Sequence, residues 1–296
     1  MKLTIFTPVY NRCELLMNLY KSLCQQTVKQ FVWLIVDDGS TDGTKEQIEF
    51  LTHDAPFEIR YYFQHNHGKH SAHNKGVQEC DTELFVCVDS DDTLYPNAVQ
   101  EILDAHEQYK TQDVLGYYFR KIDSKGNISG GNFDFHSEYV GLRELYHRYR
   151  FQGELVIVLR TEKIRTYEFP VFANEKFVSE HVLYNLLDNL APMVWKNIVI
   201  YEYEYQENGY SKNSKKLVKN NPYGTAYGYL SEVQYAYSLI ERVKNYAAYL
   251  GIKKVFVLDS LINPQIRVPV YIRLSSVLLK KHYEKIFQII KNDATL

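Results

Sequence analysis

At 296 residues the chain is long enough for one large domain or two modest ones with an ordinary core. Lys and Arg (34) almost balance Asp and Glu (36), and the net charge of −2 gives no global pull toward nucleic acid. No run of about 18 apolar residues occurs, which excludes a spanning helix. No Cys-x-x-Cys pair joins Cys13, Cys24, Cys80 and Cys87, so reduced structural thiols in a cytoplasmic protein are expected. The 26 Tyr against 2 Trp suit sugar or base stacking in principle, but mixed core and surface roles are the simpler expectation for most of them.

Along the chain, short apolar runs alternate with helical patterns. Lys2 to Thr7 is the first expected strand, followed by the loop Pro8 to Arg12 and a helix over Glu14 to Gln26, where Leu15, Leu16, Leu19 and Leu23 recur at helical spacing. Phe31 to Val36 is a second buried strand; the turn Asp37 to Thr44 leads into a helix over Thr44 to Leu51. Ile59 to Phe63, a helix over Lys69 to Gln78, Leu84 to Val88 and a helix over Pro96 to Tyr109 continue the alternation. This order predicts an α/β fold, a mostly parallel sheet with helices on both faces, and puts every loop that follows a strand at one sheet edge. Further on, strands are expected over Val114 to Ile122, Leu155 to Arg160 and Met193 to Tyr203. Helices are expected over Arg143 to Tyr149, Ser179 to Asn189, Tyr223 to Leu250 and Leu274 to Lys291. The expected domains are 1–215, divided at about residue 92, and a mainly helical 216–296.

The most informative residues are Asp89-Ser90-Asp91-Asp92, which directly follow the apolar run Leu84 to Val88. Crowded carboxylates are costly unless a cation compensates them. Hard oxygen ligands suit Mg²⁺ or Mn²⁺, ions that usually hold a phosphate as well, and open α/β sheets bind ligands at the C-terminal ends of strands. A plain surface turn or helix cap is the competing explanation. Lys69 stands in the first turn of its helix, where the dipole favours an acid, and a nearby anion such as a diphosphate explains it better. His65, His67, His70 and His73 would need a strained bend to converge on a metal, so a polar helix lining a nucleotide or sugar pocket is preferred.

Four segments, Thr7 to Arg12, Val36 to Gly43, Asn66 to Gly76 and Val88 to Asp92, resemble in order the successive motifs of family-2 glycosyltransferases. The resemblance is strong over residues 2 to about 100, weaker to 215 and faint beyond. It implies the GT-A fold, to which the helical pattern beyond residue 215 adds a C-terminal helical extension, and transfer of a sugar from a nucleotide diphosphate, a UDP-sugar by default, with inversion. It places Pro8, Tyr10 and Arg12 at the nucleotide-sugar, with Tyr10 on the base. Asp38 would meet the base or ribose with Asp37 close by, and Lys69 and Asn74 the donor or its phosphates. Asp89 and Asp91 would be the acidic pair of the DxD motif, flanking Ser90. Asp91 is the first choice as ligand for Mn²⁺ or Mg²⁺, and Asp89 is either a second ligand or a ribose contact. The family's base is usually an Asp at a helix start; here the stretch is Glu175 to Tyr184, with Ser179 as cap. Glu180 is the preferred base, with His181, where the Asp usually stands, as its partner or substitute.

The implied acceptor is a glycan or a lipid-linked oligosaccharide in surface polysaccharide synthesis. Tyr201 to Ser211, followed by Lys212, Lys215, Lys216 and Lys219, is either a lysine-bearing lid over the donor or a solvated basic loop. Residues 267–291 carry Arg267, Arg273, Lys280, Lys281, Lys285 and Lys291 against Glu284 alone, interleaved with apolar residues. Such a helix suits an anionic membrane surface at the inner face of the cell membrane; the alternatives are packing on the catalytic domain or on a second subunit, a homodimer. A non-catalytic nucleotide- or sugar-binding module is the rival function. A nucleotidyltransferase is disfavoured, because Pro8 to Arg12 is not the Gly-rich basic loop that a triphosphate requires.

Overall fold

The apolar runs become strands of a nine-stranded sheet in the computed structural model, which describes residues 1–133, 135, 137–204, 214–259 and 268–293. β1 (Leu3–Val9), β2 (Phe31–Asp37), β3 (Glu58–Phe63) and β4 (Leu84–Cys87) run parallel in the order β3-β2-β1-β4. They are joined by α1 (Cys13–Cys24), α2 (Thr44–Asp54) and α3 (Lys69–Glu79). β2 is buried along its whole length and β1 nearly so, which is why both lack a polar face. The chain steps from β1 outward to β2 and β3, then returns to β4 on the other side of β1. The strand order therefore reverses between β1 and β4, the crevice at which such sheets hold ligands.

Beyond β4 come β5 (Thr93–Leu94), α4 (Ala98–Tyr109), β6 (Gly116–Asp123), β7 (Tyr139–Val140), α5 (Leu142–His147), β8 (Leu155–Arg160), α6 (Thr161–Ile164), α7 (His181–Leu187) and β9 (Met193–Tyr203). The sheet continues from β4 as β8-β6-β9-β5, with β7 also on β9. The β4–β8, β8–β6, β9–β5 and β9–β7 pairs are antiparallel and β6–β9 is parallel. The expected α/β sheet is present, parallel through its first four strands and mixed thereafter. At Gly116 a Cβ would lie 1.9 Å from the Val158 carbonyl oxygen, so no larger residue fits where β6 meets β8.

The chain divides into two units, one of Met1–Glu168 with Leu186–Tyr205, the other of Phe169–Asn185 with Gln206–Leu296. The sheet belongs to the first. The second contains α8 (Ser214–Asn220), α9 (Pro222–Tyr235), α10 (Leu239–Phe256) and α11 (Val270–Asn292), around a core that includes Ala226, Leu230, Ala248, Ile252 and Phe287. The single helix expected over Tyr223 to Leu250 is two helices. Ser238 accepts from the Glu241 N–H at 3.1 Å and its own N–H donates to the Glu241 carboxylate at 3.3 Å, a reciprocal cap that starts α10. No helix among the described residues is long and apolar enough to cross a membrane.

Candidate active site

The loops after β1, β2, β3 and β4 are laced together by their own polar side chains. Asn11 donates its N–H to the Ser40 hydroxyl at 2.9 Å, and its carboxamide oxygen accepts from the Thr41 N–H at 2.8 Å. Asp42 joins the same lacing, accepting from the Cys13 N–H at 3.0 Å. Asp37 is buried and closes its own turn, accepting from the Ser40 N–H at 2.7 Å and the Tyr61 hydroxyl at 2.9 Å. Asp38, also buried, accepts from Gln64 Nε2 at 2.7 Å, the His67 N–H at 2.9 Å and the Gly68 N–H at 2.7 Å. Gly68 sits at φ 91°, a conformation other residues rarely adopt. The two expected nucleotide carboxylates thus shape the loops. Asp38 has acceptor capacity left for one further donor.

The bend at Gly68 aims α3 so that Lys69 reaches the acidic cluster. Lys69 Nζ lies 2.7 Å from Asp89 Oδ1. The anion expected near this lysine is therefore supplied by the chain itself. Burial pushes the Asp89 carboxyl up, but Lys69, with help from Lys121 and Arg12, overrides it and holds the group below the usual range. Asp91 has a weaker counter-charge, Arg12 Nη1 at 4.0 Å, and its pKa is raised, first by burial and then by the neighbouring Asp89. Burial pushes Asp92 up to about 7, although the Tyr201 hydroxyl donates to it at 2.6 Å. Among the described residues no three His, Cys, Asp or Glu side chains converge as a ready-made metal group. Two carboxylates, one of them insufficiently neutralised, nevertheless fit Mg²⁺ or Mn²⁺ of the kind held by one or two carboxylates with phosphate oxygens completing the shell.

Tyr10 follows β1 and is 48% exposed, which leaves its ring available for stacking. Pro8 and Asn74 are half-buried and Ser90 is buried. His70 and His73 are both buried, and the His73 ring packs edge-on against Phe6 and Phe85. The apolar side of α3 is made partly of histidine, which hid it from a polar-helix reading.

Two residues at the acidic cluster had no local signal. Tyr201 is brought to Asp92 by the β5–β9 pairing, in which Leu94 lies opposite Tyr201, and its oxygen also accepts from the Asp89 N–H at 3.2 Å. Lys121 on β6 stands 4.6 Å from the Tyr201 ring centroid. In the second unit, Glu175 is buried and accepts from the N–H groups of Tyr223 and Gly224, both at 2.7 Å, so it holds the N-terminus of α9. Glu180 is exposed just before α7. His181 Nδ1 pairs with the Ser179 hydroxyl at 2.7 Å, and its Nε2 lies 3.4 Å from the Gly228 carbonyl and 3.8 Å from Glu232. The end of the expected lysine lid, residues 205–213 with Lys212, and Arg267 lie outside the described residues.

Residues 4–174, more than half of the chain, match the model of Glycosyl transferase family 2. An uncharacterized glycosyltransferase of Rickettsia bellii is 30% identical over 141 residues, 45% of this chain and 20% of that protein. The chain thus spans a small part of the length of this relative, and 35% of one from Nostoc. The GalNAc(5)-diNAcBac-PP-undecaprenol beta-1,3-glucosyltransferase of Campylobacter jejuni is 28% identical over 228 residues, 73% of this chain and 70% of that one. In fold, the chain is similar to S. aureus TarS 1–349 in complex with UDP-GlcNAc, with a TM-score of 0.62 at 14% identity over 100% of this chain and 92% of that chain. With its strand reversal, its laced loops and its acidic cluster all inside the matched segment, the chain belongs to glycosyl transferase family 2.

Proposed function

We propose that the chain is a metal-dependent, inverting glycosyltransferase that takes a sugar from a nucleotide diphosphate, most simply a UDP-sugar, and passes it to a glycan or lipid-linked acceptor in surface polysaccharide synthesis. The observation that carries this is the set Asp89, Asp91, Lys69 and Arg12 at the strand-order reversal, two carboxylates facing two cations. Asp91, with Asp89, would hold a divalent cation whose chemistry is Lewis-acid neutralisation of the departing diphosphate. Lys69 and Arg12 add positive charge for the phosphates. Tyr10 stacks on the base against Pro8, Asp38 accepts a base or ribose hydrogen bond, and Asn74 and Ser90 contact the donor.

On the acceptor side Glu180 takes the proton of the attacking hydroxyl. His181, with both ring nitrogens engaged, serves better as an anchor of α7. The Campylobacter relative's name includes an undecaprenol-linked acceptor, which supports a lipid-linked acceptor and contact with the membrane surface. The experiment is a thermal-shift screen of UDP and UDP-sugars with and without Mn²⁺, followed by transfer assays on the donors that bind. Glu180→Gln should bind donor normally and lose transfer. Donor binding with no turnover on any acceptor would favour a non-catalytic binding module, and loss of transfer in His181→Ala but not in Glu180→Gln would move the base to His181.

A further inference from the structure

α10 and α11 pack side by side in the same direction. Ser276 Oγ donates to the Val243 carbonyl at 3.0 Å, Lys254 pairs with Glu284 at 3.1 Å, and Lys291 Nζ donates to the Val255 carbonyl at 2.7 Å. Between these contacts Gly251 lets the helices approach, since a Cβ there would lie 2.8 Å from that of Tyr283. Because residue numbers rise together along both helices, their N-termini share one end of the pair. At that end Leu239, Ile240, Val270, Leu274, Val277 and Leu278 are each more than half exposed. On α11 the last four recur at i, i+4, i+7 and i+8, a single face opposite the buried Ile272, Ser276, Phe287 and Ile290. The same face continues, one to two turns later, as Lys281 and Lys285, both exposed. The one carboxylate of α11, Glu284, is matched by Lys254 and Lys280.

We infer that this end of the α10–α11 pair docks on an anionic phospholipid surface, the apolar tips entering the interface while Lys281, Lys285 and Arg273 meet lipid phosphates. An apolar helix end backed by lysines matches the change from acyl chains to charged headgroups with depth. A second copy of the chain is the weaker occupant, because a two-fold contact through this face would bring the same lysines together. The whole chain carries a net charge of −2, so attraction to anionic lipid has to come from this local basic face. The inference deepens the membrane part of the proposed function, and its test is independent of donor binding.

The test is co-sedimentation of the whole chain with vesicles of phosphatidylcholine alone or mixed with phosphatidylglycerol. Binding is expected on the mixed vesicles, little on phosphatidylcholine, and less as salt rises. Leu274→Ser/Leu278→Ser should abolish sedimentation, and Lys281→Glu/Lys285→Glu should weaken it by about tenfold or more. Both pairs are exposed, so melting temperature and UDP binding should stay unchanged. No sedimentation of the wild-type chain with anionic vesicles overturns the inference, as does sedimentation unaffected by both double substitutions. A dimer in analytical ultracentrifugation that Leu274→Ser/Leu278→Ser dissociates, without vesicle binding, would identify the face as a self-association surface instead.

Discussion

The Tyr201 hydroxyl bridges the acidic loop to the far half of the sheet: it donates to the Asp92 carboxylate at 2.6 Å and accepts from the Asp89 N–H at 3.2 Å. One buried oxygen thus sets both the backbone that carries Asp89 and the side chain two residues past Ser90. Tyr201→Phe keeps the ring and removes the bridge. It leaves Asp92 buried without its donor, a loss on the order of 1–3 kcal/mol. The expected result is a lower urea midpoint and weaker UDP binding in the presence of Mn²⁺, read by calorimetry. Unchanged nucleotide affinity would mean that Tyr201 does not position the loop.

Asp91 is raised by burial and by Asp89, so its charge is a strain on the chain in the absence of a cation. Asp91→Asn should leave the metal-free protein as stable as the wild type or slightly more so. The added stability from Mn²⁺ with UDP should disappear, and metal-dependent turnover with it. Thermal melts with and without Mn²⁺ and UDP distinguish this from a merely structural role, for which the metal-free melt would fall.

The Lys69–Asp89 pair at 2.7 Å occupies one oxygen of a proposed metal ligand. Lys69→Gln frees that oxygen and removes a cation from the phosphate site. The two effects differ in sign by ligand. UDP affinity should fall by about tenfold, the size of one charge-assisted hydrogen bond, while Mn²⁺ binding without nucleotide should hold or improve. Paired titrations of each ligand check this.

His70 is buried, and its pKa is lowered to about 4 by burial and then by His67. The unfolded chain titrates this group near 6.5. Above that value both states hold it neutral and it contributes no pH dependence. As pH falls from about 6.5 toward 4 the unfolded state takes the proton first, so stability declines, by up to about 3 kcal/mol. Denaturant melts across that window should show the decline, and His70→Gln should flatten it.

The strands β1, β2 and β4, the helices between them and the acidic cluster at a strand end were legible in the sequence, because apolar runs, helical spacing and turn residues are local signals. Charge alone marked Lys69 as out of place in a helix's first turn. The break between α9 and α10 was also written locally, in Ser238 and Glu241, but a continuous helical pattern masked it. The tertiary structure decided what no local pattern carries. The partner of Lys69 is Asp89 rather than only a ligand, Asp37 closes its own turn and accepts from Tyr61 on β3, Asp38 accepts three hydrogen bonds from the loop after β3, and Tyr201 completes an acidic loop 112 residues away. The reason is physical: residue type states what a side chain can bond to, whereas strand order and register determine which partner comes within reach.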